Sequence, residues 1–417
     1  MNPKQLMLAA GVLGATIPVV TTRRRADAER TNVTAASARP GQPGAPAGRR
    51  NEALAPGVIR APVAGFNPAG ARAQRDGRYA VELPDGRRAT LTLEPAWQRA
   101  TQTLLARHAI PRASVGVIDT ATGRVLVWAS HGGERGADLA REAEAPAASV
   151  FKIVTASALL GRGFTADATT CYSGGFHNLT PRDLTADPRR DRECVTLPDA
   201  FARSINTVFA RRALEFLRPE LENETAQAWG FGGAVPFDAT VAVSEVNIPA
   251  DTLNFARTAA GFWNSTLSPL HGALLAQGIA LGGEMQRPWI IETLTGARGE
   301  TLATGATQPW RRAVTPEVAA VLQRSMLRTV TDGTGYHGFH DNAGRVFLDG
   351  VTVGGKTGTL TRDRPYSAYT WFVGNAEGAG RRLSFGVMVA NGPLWRVKAP
   401  TLARQVLQIA FRGRATD

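Results

Sequence analysis

Between Ser149 and Gly163 the chain reads SVFKIVTASALLGRG, with apolar residues on every side of the implied helix rather than along one stripe. A helix that is apolar all round has to be enclosed by other elements, so the rest of the chain must build a domain around this segment. A glycine closes it, as expected of a helix C-terminus. The only cation in its first three turns is Lys152. A lysine enclosed with such a helix leaves water, and burial penalises its charged form.

With 417 residues, 43% of them apolar, the chain can bury one large core or two modest ones. YAVEL and RRATLTL, joined by the turn PDG, predict a hairpin from Tyr79. Apolar residues at helical spacing behind a proline predict a helix over 94–109. ASVGVID and RVLVWAS form a second antiparallel pair. Helices follow over 197–217, 251–262, 268–281 and 316–331. Then the period switches to two, and GVTVGG, AYTWFVGNA and LSFGVMVANG read as strands before a closing helix, PTLARQVLQIAF. Two strands early, helices between and three strands late imply one mixed sheet joined across the chain with a helical lobe inserted, an α+β architecture.

At the N-terminus an apolar run from Leu6 to Val20 follows Lys4 and precedes Arg23, Arg24 and Arg25. It is short for a membrane span and suits a secretory apolar region. Residues 1–25 are therefore expected to be a signal peptide or a membrane anchor; the missing prompt A-x-A site and the flanking arginines leave cleavage and anchoring both open. Residues 26–78, rich in Ala, Pro, Gly and Arg without apolar period, read as a flexible linker, and 79–417 as one domain. The net charge is +13, and arginines are scattered along the chain in pairs such as Arg189-Arg190 and Arg311-Arg312. No nucleic-acid-binding motif accompanies them, so no nucleic-acid partner is expected.

Cys171 and Cys194, the only cysteines, are 23 positions apart. They form either a disulfide, worth roughly 3 kcal/mol in an oxidising compartment, or two separate core residues. His337 and His340 lack a third ligand nearby and read as loop histidines. No metal or other cofactor is expected.

Four lysines stand among forty-eight cationic side chains: Lys4, Lys152, Lys356 and Lys398. Lys152 is three residues after Ser149, so the two share a helix face within hydrogen-bond reach. A serine hydroxyl needs a base beside it to act as nucleophile. Lysine serves only when neutral, which burial and a neighbouring cation promote; a second lysine about 5 Å away adds roughly 3 kcal/mol of repulsion, about two pK units. Arginine cannot be deprotonated and cannot substitute. Lys356 opens K-T-G-T at the end of the strand GVTVGG, whose edge would face a cleft. In ARSINTVFA, Ser204 can relay a proton and Asn206 can hold a substrate carbonyl or the base, although S-I-N alone would be an ordinary helix cap. The backbone N–H groups of Ser149, at a helix start, and of a residue near Thr359 can together form an oxyanion hole.

SVFK, SIN and KTG, in that order, resemble the active-site triplet of penicillin-binding proteins and serine β-lactamases. LTLEPAWQRATQTLLA with VGVIDTATGRVLVWAS resembles the opening of a penicillin-binding transpeptidase domain, and TVTDGTG, VGGKTGT and TWFVGNA its close. The resemblance covers about residues 88–414. It implies a five-stranded antiparallel sheet packed with helices, an all-helical lobe and an active-site cleft between them.

It further implies Ser149 as acylated nucleophile, Lys152 as its base and Ser204 as proton relay. Asn206 would bind the substrate amide; Lys356 would set the electrostatics and, with Thr357, Gly358 and Thr359, bind the terminal carboxylate. The implied substrate is the D-Ala-D-Ala end of a peptidoglycan stem peptide, and β-lactams would acylate Ser149. The 150 positions from Asn206 to Lys356 suit transpeptidases better than β-lactamases, and no Glu-x-x-x-Asn intervenes. A D,D-carboxypeptidase, a β-lactamase-type hydrolase and a non-catalytic penicillin-binding sensor or scaffold remain the alternatives. The implied location is the extracytoplasmic side of the inner membrane, exported or N-terminally anchored. No glycosyltransferase domain is expected ahead of this domain, and the segment before Tyr79 reads as too short and too Pro/Gly-rich for a large pedestal domain; protein partners are not defined.

Overall fold

A computed structural model describes residues 56–133, 137–175 and 178–412. The expected signal or anchor, Lys4 with it, and the linker up to residue 55 lie outside these. Ordered backbone nevertheless starts upstream of Tyr79: β1 (Gly57–Val58) and β2 (Arg72–Ala73) precede the expected hairpin. Ile59 and Phe66, buried in the main core, anchor this stretch of the expected linker.

The hairpin is β3 (Tyr79–Glu82) and β4 (Arg88–Leu91), followed by α1 (Pro95–His108), β5 (Arg112–Asp119), β6 (Val125–Gly132) and α2 (Lys152–Gly161). A short ribbon, β7 (Thr170–Tyr172) and β8 (Glu193–Val195), flanks α3 (Pro181–Leu184). Helices α4 (Leu197–Ala202), α5 (Asn206–Phe216), α6 (Pro219–Ala228), α7 (Thr252–Ala259) and α8 (Pro269–Ala280) come next. β9 (Glu284–Gln286), β10 (Ile291–Thr295), β11 (Thr301–Thr304) and β12 (Pro309–Arg312) lead to α9 (Pro316–Thr331) and α10 (Tyr336–Phe339). The chain closes with β13 (Thr352–Asp363), β14 (Tyr366–Gly378), β15 (Arg381–Asn391) and α11 (Ala399–Arg412).

The principal sheet has five strands in the order β13-β14-β15-β5-β6. Every pairing in it is antiparallel, so the early pair joins the late trio without the parallel element a mixed sheet would carry. Period-two alternation sends its side chains into two cores: Trp371 and Val373 of β14 join the one containing α2 and α8, while Phe372 joins the one formed with α1 and α11. A six-stranded sheet, β1-β11-β10-β4-β3-β2, takes the Tyr79 hairpin instead of the principal sheet. Asp238 fixes this second sheet to the core. Fully buried, it accepts from the Ile290 and Ile291 N–H groups at 2.7 and 2.8 Å and from Arg287 at 2.8 Å.

Three elements differ from expectation. The helix expected over 197–217 is two, broken at Arg203–Ile205, where Ser204 takes φ 56°. GVTVGG does not end before Lys356; β13 runs on to Asp363, so Lys356 lies within a strand on the sheet's edge. His337 belongs to α10 rather than a loop, and the Tyr336 and His340 rings stack at 4.1 Å. Among the described residues no helix is long and apolar enough to cross a membrane.

Candidate active site

The apolar run forms a 3-10 turn, Ala148–Phe151, leading directly into α2. Ser149 sits in that turn and Lys152 opens the helix, so one turn of backbone brings the lysine back under the serine. Lys152 Nζ is 2.9 Å from Ser149 Oγ. It also lies 2.7 Å from Asn206 Oδ1, 2.7 Å from the Ala260 carbonyl and 3.5 Å from Ser204 Oγ. The orientation of Asn206 is set from its other end, where Nδ2 donates to Gly175 O at 2.8 Å.

The break between α4 and α5 is what delivers Ser204. Left-handed backbone at a non-glycine residue is strained, and here it turns the hydroxyl between two lysines. Lys356 Nζ donates to Ser204 Oγ at 2.9 Å and to its neighbour's carbonyl, Thr357 O, at 2.9 Å. Thr357 Oγ1 meets Thr334 Oγ1 at 2.6 Å, which gives TVTDGTG a place in the site. Gly358 lets β13 approach the turn before Ser149; a Cβ there would sit 3.2 Å from both Ala147 O and the Ala148 Cβ.

Neither Lys152 nor Lys356 exposes any surface. Burial, joined by the Lys356 charge, holds Lys152 well below the usual ammonium range. Burial pushes Lys356 down to about 7. Each amine also lies near an aromatic face, Lys152 5.5 Å from the Phe209 ring centre and Lys356 5.4 Å from that of Phe201.

These groups open into a cleft of about 1090 Å³ lined by Ser149, Ser204, Asn206, Thr357, Gly358 and Thr359, among others. Its wall is β13 on one side and the α4–α5 break and the end of α7 on the other. Among the described residues no carboxylate lines it, whereas Arg203, Arg257 and Lys398 do. Such a cavity favours an anionic ligand. The structure thus brings together all eight residues singled out in the sequence.

Several contributors carry no sequence signal of their own. The Ala260 carbonyl is backbone. Gly261, at φ +80°, lets the end of α7 touch Ser149: a Cβ there would lie 2.5 Å from Ala148 O and 2.8 Å from Ser149 Cα. Trp371 Nε1 donates to Pro146 O at 2.8 Å and so ties the principal sheet to the segment ahead of Ser149.

Cys171 and Cys194 are joined in a disulfide that links β7 to β8. The ribbon it braces runs into Gly175, the anchor of Asn206. Arg211 holds the ribbon on α5, donating to Asp191 Oδ2 at 2.6 Å, Asp183 O at 2.7 Å and Cys171 O at 3.3 Å. Asp191 is correspondingly lowered to about 2, chiefly by Arg211.

A serine flanked by a buried lysine, a bridging second serine and a second lysine in a cation-lined cleft is the arrangement that a serine nucleophile with a lysine base would need. The chain belongs to the family of penicillin-binding protein transpeptidase domains, whose family description matches residues 113–408. It is 28% identical over 283 residues to the peptidoglycan D,D-transpeptidase PbpA of Mycobacterium tuberculosis, over 64% of this chain and 55% of that protein. The chain therefore spans about half the length of the curated relatives it matches.

Its fold is similar to that of the D,D-transpeptidase domain of a peptidoglycan glycosyltransferase from Eggerthella lenta, with TM-score 0.66 and 22% identity over 84% of this chain and 92% of the other. It is also similar to penicillin-binding protein A of M. tuberculosis in its penicillin G acyl-enzyme complex, with TM-score 0.62 and 22% identity over 77% and 80% of the two chains.

Proposed function

We propose that this protein is a peptidoglycan D,D-transpeptidase that acts on D-Ala-D-Ala stem peptides through an acyl-enzyme at Ser149 and is acylated there by β-lactams. The observation that carries this reading is the set of partners around Lys152. A neutral amine has two N–H bonds and one lone pair. Asn206 Oδ1 and Ala260 O, both at 2.7 Å, take the two N–H bonds. The lone pair is left for the third close neighbour, the Ser149 hydroxyl at 2.9 Å. Lys152 thereby accepts the proton as Ser149 Oγ attacks the carbonyl carbon of the penultimate D-alanine.

The proton then passes through Ser204, which contacts both lysines, to the amine of the departing D-alanine. An amine from a second strand, or water, reverses these steps and releases Ser149. The backbone N–H groups of Ser149 and Thr359 serve as oxyanion donors. Lys356, with Thr357, Gly358 and Thr359 on the cleft wall, receives the substrate's terminal carboxylate, and Asn206 its amide. The absence of a carboxylate from the described cleft lining supports a long-lived acyl-enzyme, since no acidic side chain is at hand to activate water. The reading carries with it a cell-envelope location with the domain outside the cytoplasmic membrane, and residues 1–25 as export signal or anchor.

The test is intact-protein mass spectrometry after penicillin exposure, combined with assay of D-alanine release from a D-Ala-D-Ala peptide with and without an amine acceptor. One stable adduct lost in Ser149→Ala, with acceptor-dependent product, is expected. Release into water alone would make it a carboxypeptidase, rapid adduct loss a β-lactamase, and an adduct without peptide turnover a sensor. Labelling undiminished in Ser149→Ala would overturn the assignment.

A further inference from the structure

α2 carries a second polar face beyond Lys152. Thr155, one turn further on, is fully buried, as is Glu222 of α6. Thr155 Oγ1 lies 2.6 Å from Glu222 Oε1 and 2.8 Å from the Ala259 carbonyl. A threonine hydroxyl has one hydrogen, and Ala259 O has none to give. One hydrogen shared between two acceptors serves neither fully; both contacts are full hydrogen bonds when the Thr155 hydroxyl donates to Ala259 O and a protonated Glu222 carboxyl donates to Thr155 Oγ1. That arrangement requires Glu222 as the neutral acid.

The surroundings agree. No ion pair reaches Glu222 among the described residues, and its other oxygen, Oε2, is buried without a partner. An ionised carboxylate so placed would be an uncompensated buried charge, and burial raises this carboxyl to about 7.

Ala259 ends α7 and Ala260 is its C-cap. Carbonyls in the last turn of a helix lack intrahelical partners. Here two consecutive ones are taken by two α2 side chains one turn apart: Ala259 O by Thr155 and Ala260 O by Lys152. The next residue is Gly261, which packs on Ser149. Phe262 N donates to Arg257 O at 2.9 Å and Gly261 N to Thr258 O at 2.8 Å, the double closure of a Schellman ending.

We infer that Glu222 is a positioning residue: as a neutral acid it donates through Thr155 to Ala259 O and so holds the end of α7 where Ala260 O orients Lys152 and Gly261 abuts Ser149. It touches no substrate and moves no proton in the reaction. An acid is required because a carboxylate could only accept, drawing the Thr155 hydrogen away from Ala259.

This inference rests on the acyl-enzyme reading, and the experiment separates the two. The acylation rate constant and the preceding binding constant are measured with a fluorescent penicillin on the full chain. The variants are Glu222→Gln, Glu222→Leu and Thr155→Val. Glu222→Gln, which keeps a neutral donor, should acylate within about twofold of wild type. Glu222→Leu and Thr155→Val should each lose tenfold or more in the acylation step with little change in binding, since displacing a reacting group by about 1 Å costs up to a hundredfold.

Should Glu222→Leu fail to fold, Thr155→Val carries the test alone. Infrared difference spectra of wild type against Glu222→Gln at pH 6 should show a protonated-acid carbonyl band. Wild-type acylation in Thr155→Val, a loss in Glu222→Gln as large as in Glu222→Leu, or a carboxylate band in place of the acid band would each overturn the inference. Failure of wild-type protein to label at all would instead refute the acyl-enzyme reading.

Discussion

Lys152 Nζ and Asn206 Oδ1 are 2.7 Å apart, and because the amide's nitrogen is committed to Gly175 O, it is the oxygen that faces the amine. A neutral acceptor at this point holds the amine without favouring its charged form. Asn206→Asp would place an anion there, and an opposite charge at such range raises a lysine by about one to three units. Acylation by penicillin near pH 7 should fall tenfold or more and recover as the pH is raised. A loss that stays constant across the pH profile would contradict this account.

Lys356→Arg keeps a cation here but replaces a compact amine, lowered to about 7 by burial, with a permanently charged, planar, wider donor group. Lys356 Nζ reaches Ser204 Oγ and Thr357 O together within a fully buried site, which a guanidinium cannot reproduce. Binding of carboxylate-bearing β-lactams should weaken by roughly tenfold or more, read from the concentration dependence of labelling. Unchanged kinetics would show that only charge matters at this position.

The buried titratable groups shape stability in opposite directions. Glu222 moves from 4.5 to about 7 on folding, so between these values the native state holds a proton that the unfolded chain has released. Its contribution is fully present below pH 4.5 and lost as the pH rises through about 7. Lys356 moves from 10.5 to about 7, so above 7 the unfolded chain holds the extra proton and stability rises toward 10.5. Taken alone these two groups would give a minimum near pH 7, but His271, lowered from 6.5 to about 4 by burial, adds stability as the pH rises from 4 to 6.5 and offsets the Glu222 loss there. In urea unfolding the advantage of wild type over Glu222→Gln should therefore shrink as the pH rises from 4.5 to 7, and the gain in stability from pH 7 to 10 should be smaller in Lys356→Met.

Gly261→Ala introduces a Cβ 2.8 Å from Ser149 Cα on left-handed backbone. Strain of that kind costs of order 1–3 kcal/mol, before the clash is counted. The variant should melt several degrees lower and label at least tenfold more slowly. Full labelling would mean that the end of α7 does not support Ser149.

The disulfide closes a loop between residues 23 apart, and its removal should cost roughly 3 kcal/mol. Because the ribbon continues into Gly175, the effect should extend to chemistry. Cys171→Ser with Cys194→Ser should lower the acylation rate as well as the unfolding midpoint. A change in stability alone would confine the bridge to a structural role.

The helix α2 was legible because nothing but burial suits a run apolar on all sides, and the Ser149–Lys152 pairing follows from helical spacing alone. The five strands of the principal sheet were legible from their period, although their uniformly antiparallel pairing depended on how the chain's ends meet. The α4–α5 break was not legible, since a serine with φ 56° leaves no mark in the sequence. In the sequence this strand, β13, reads as ending at Gly355, before Lys356, because its glycines lower strand propensity. Their reason is packing: a Cβ at Gly355 would strike the Phe372 ring at 2.4 Å. The second sheet is not legible in the sequence because it joins four strands of two to four residues near the start of the domain to β10 and β11, some two hundred positions away. Ala260 contributes only a carbonyl, which every residue possesses, and Glu222 has no motif around it.

β15 lies beside β5, with Leu383 opposite Asp119 and Ala390 opposite Arg112, so the sheet is closed by segments more than 260 positions apart. Contacts of such separation form late in folding. Lys356 arrives with that closure, so the partially folded chain has a serine and a lysine one turn apart but no second amine to help disarm the first. On the proposed acyl-enzyme reading, a nascent or incompletely assembled molecule should stay unreactive toward penicillin, and the onset of labelling should mark the docking of the last strands.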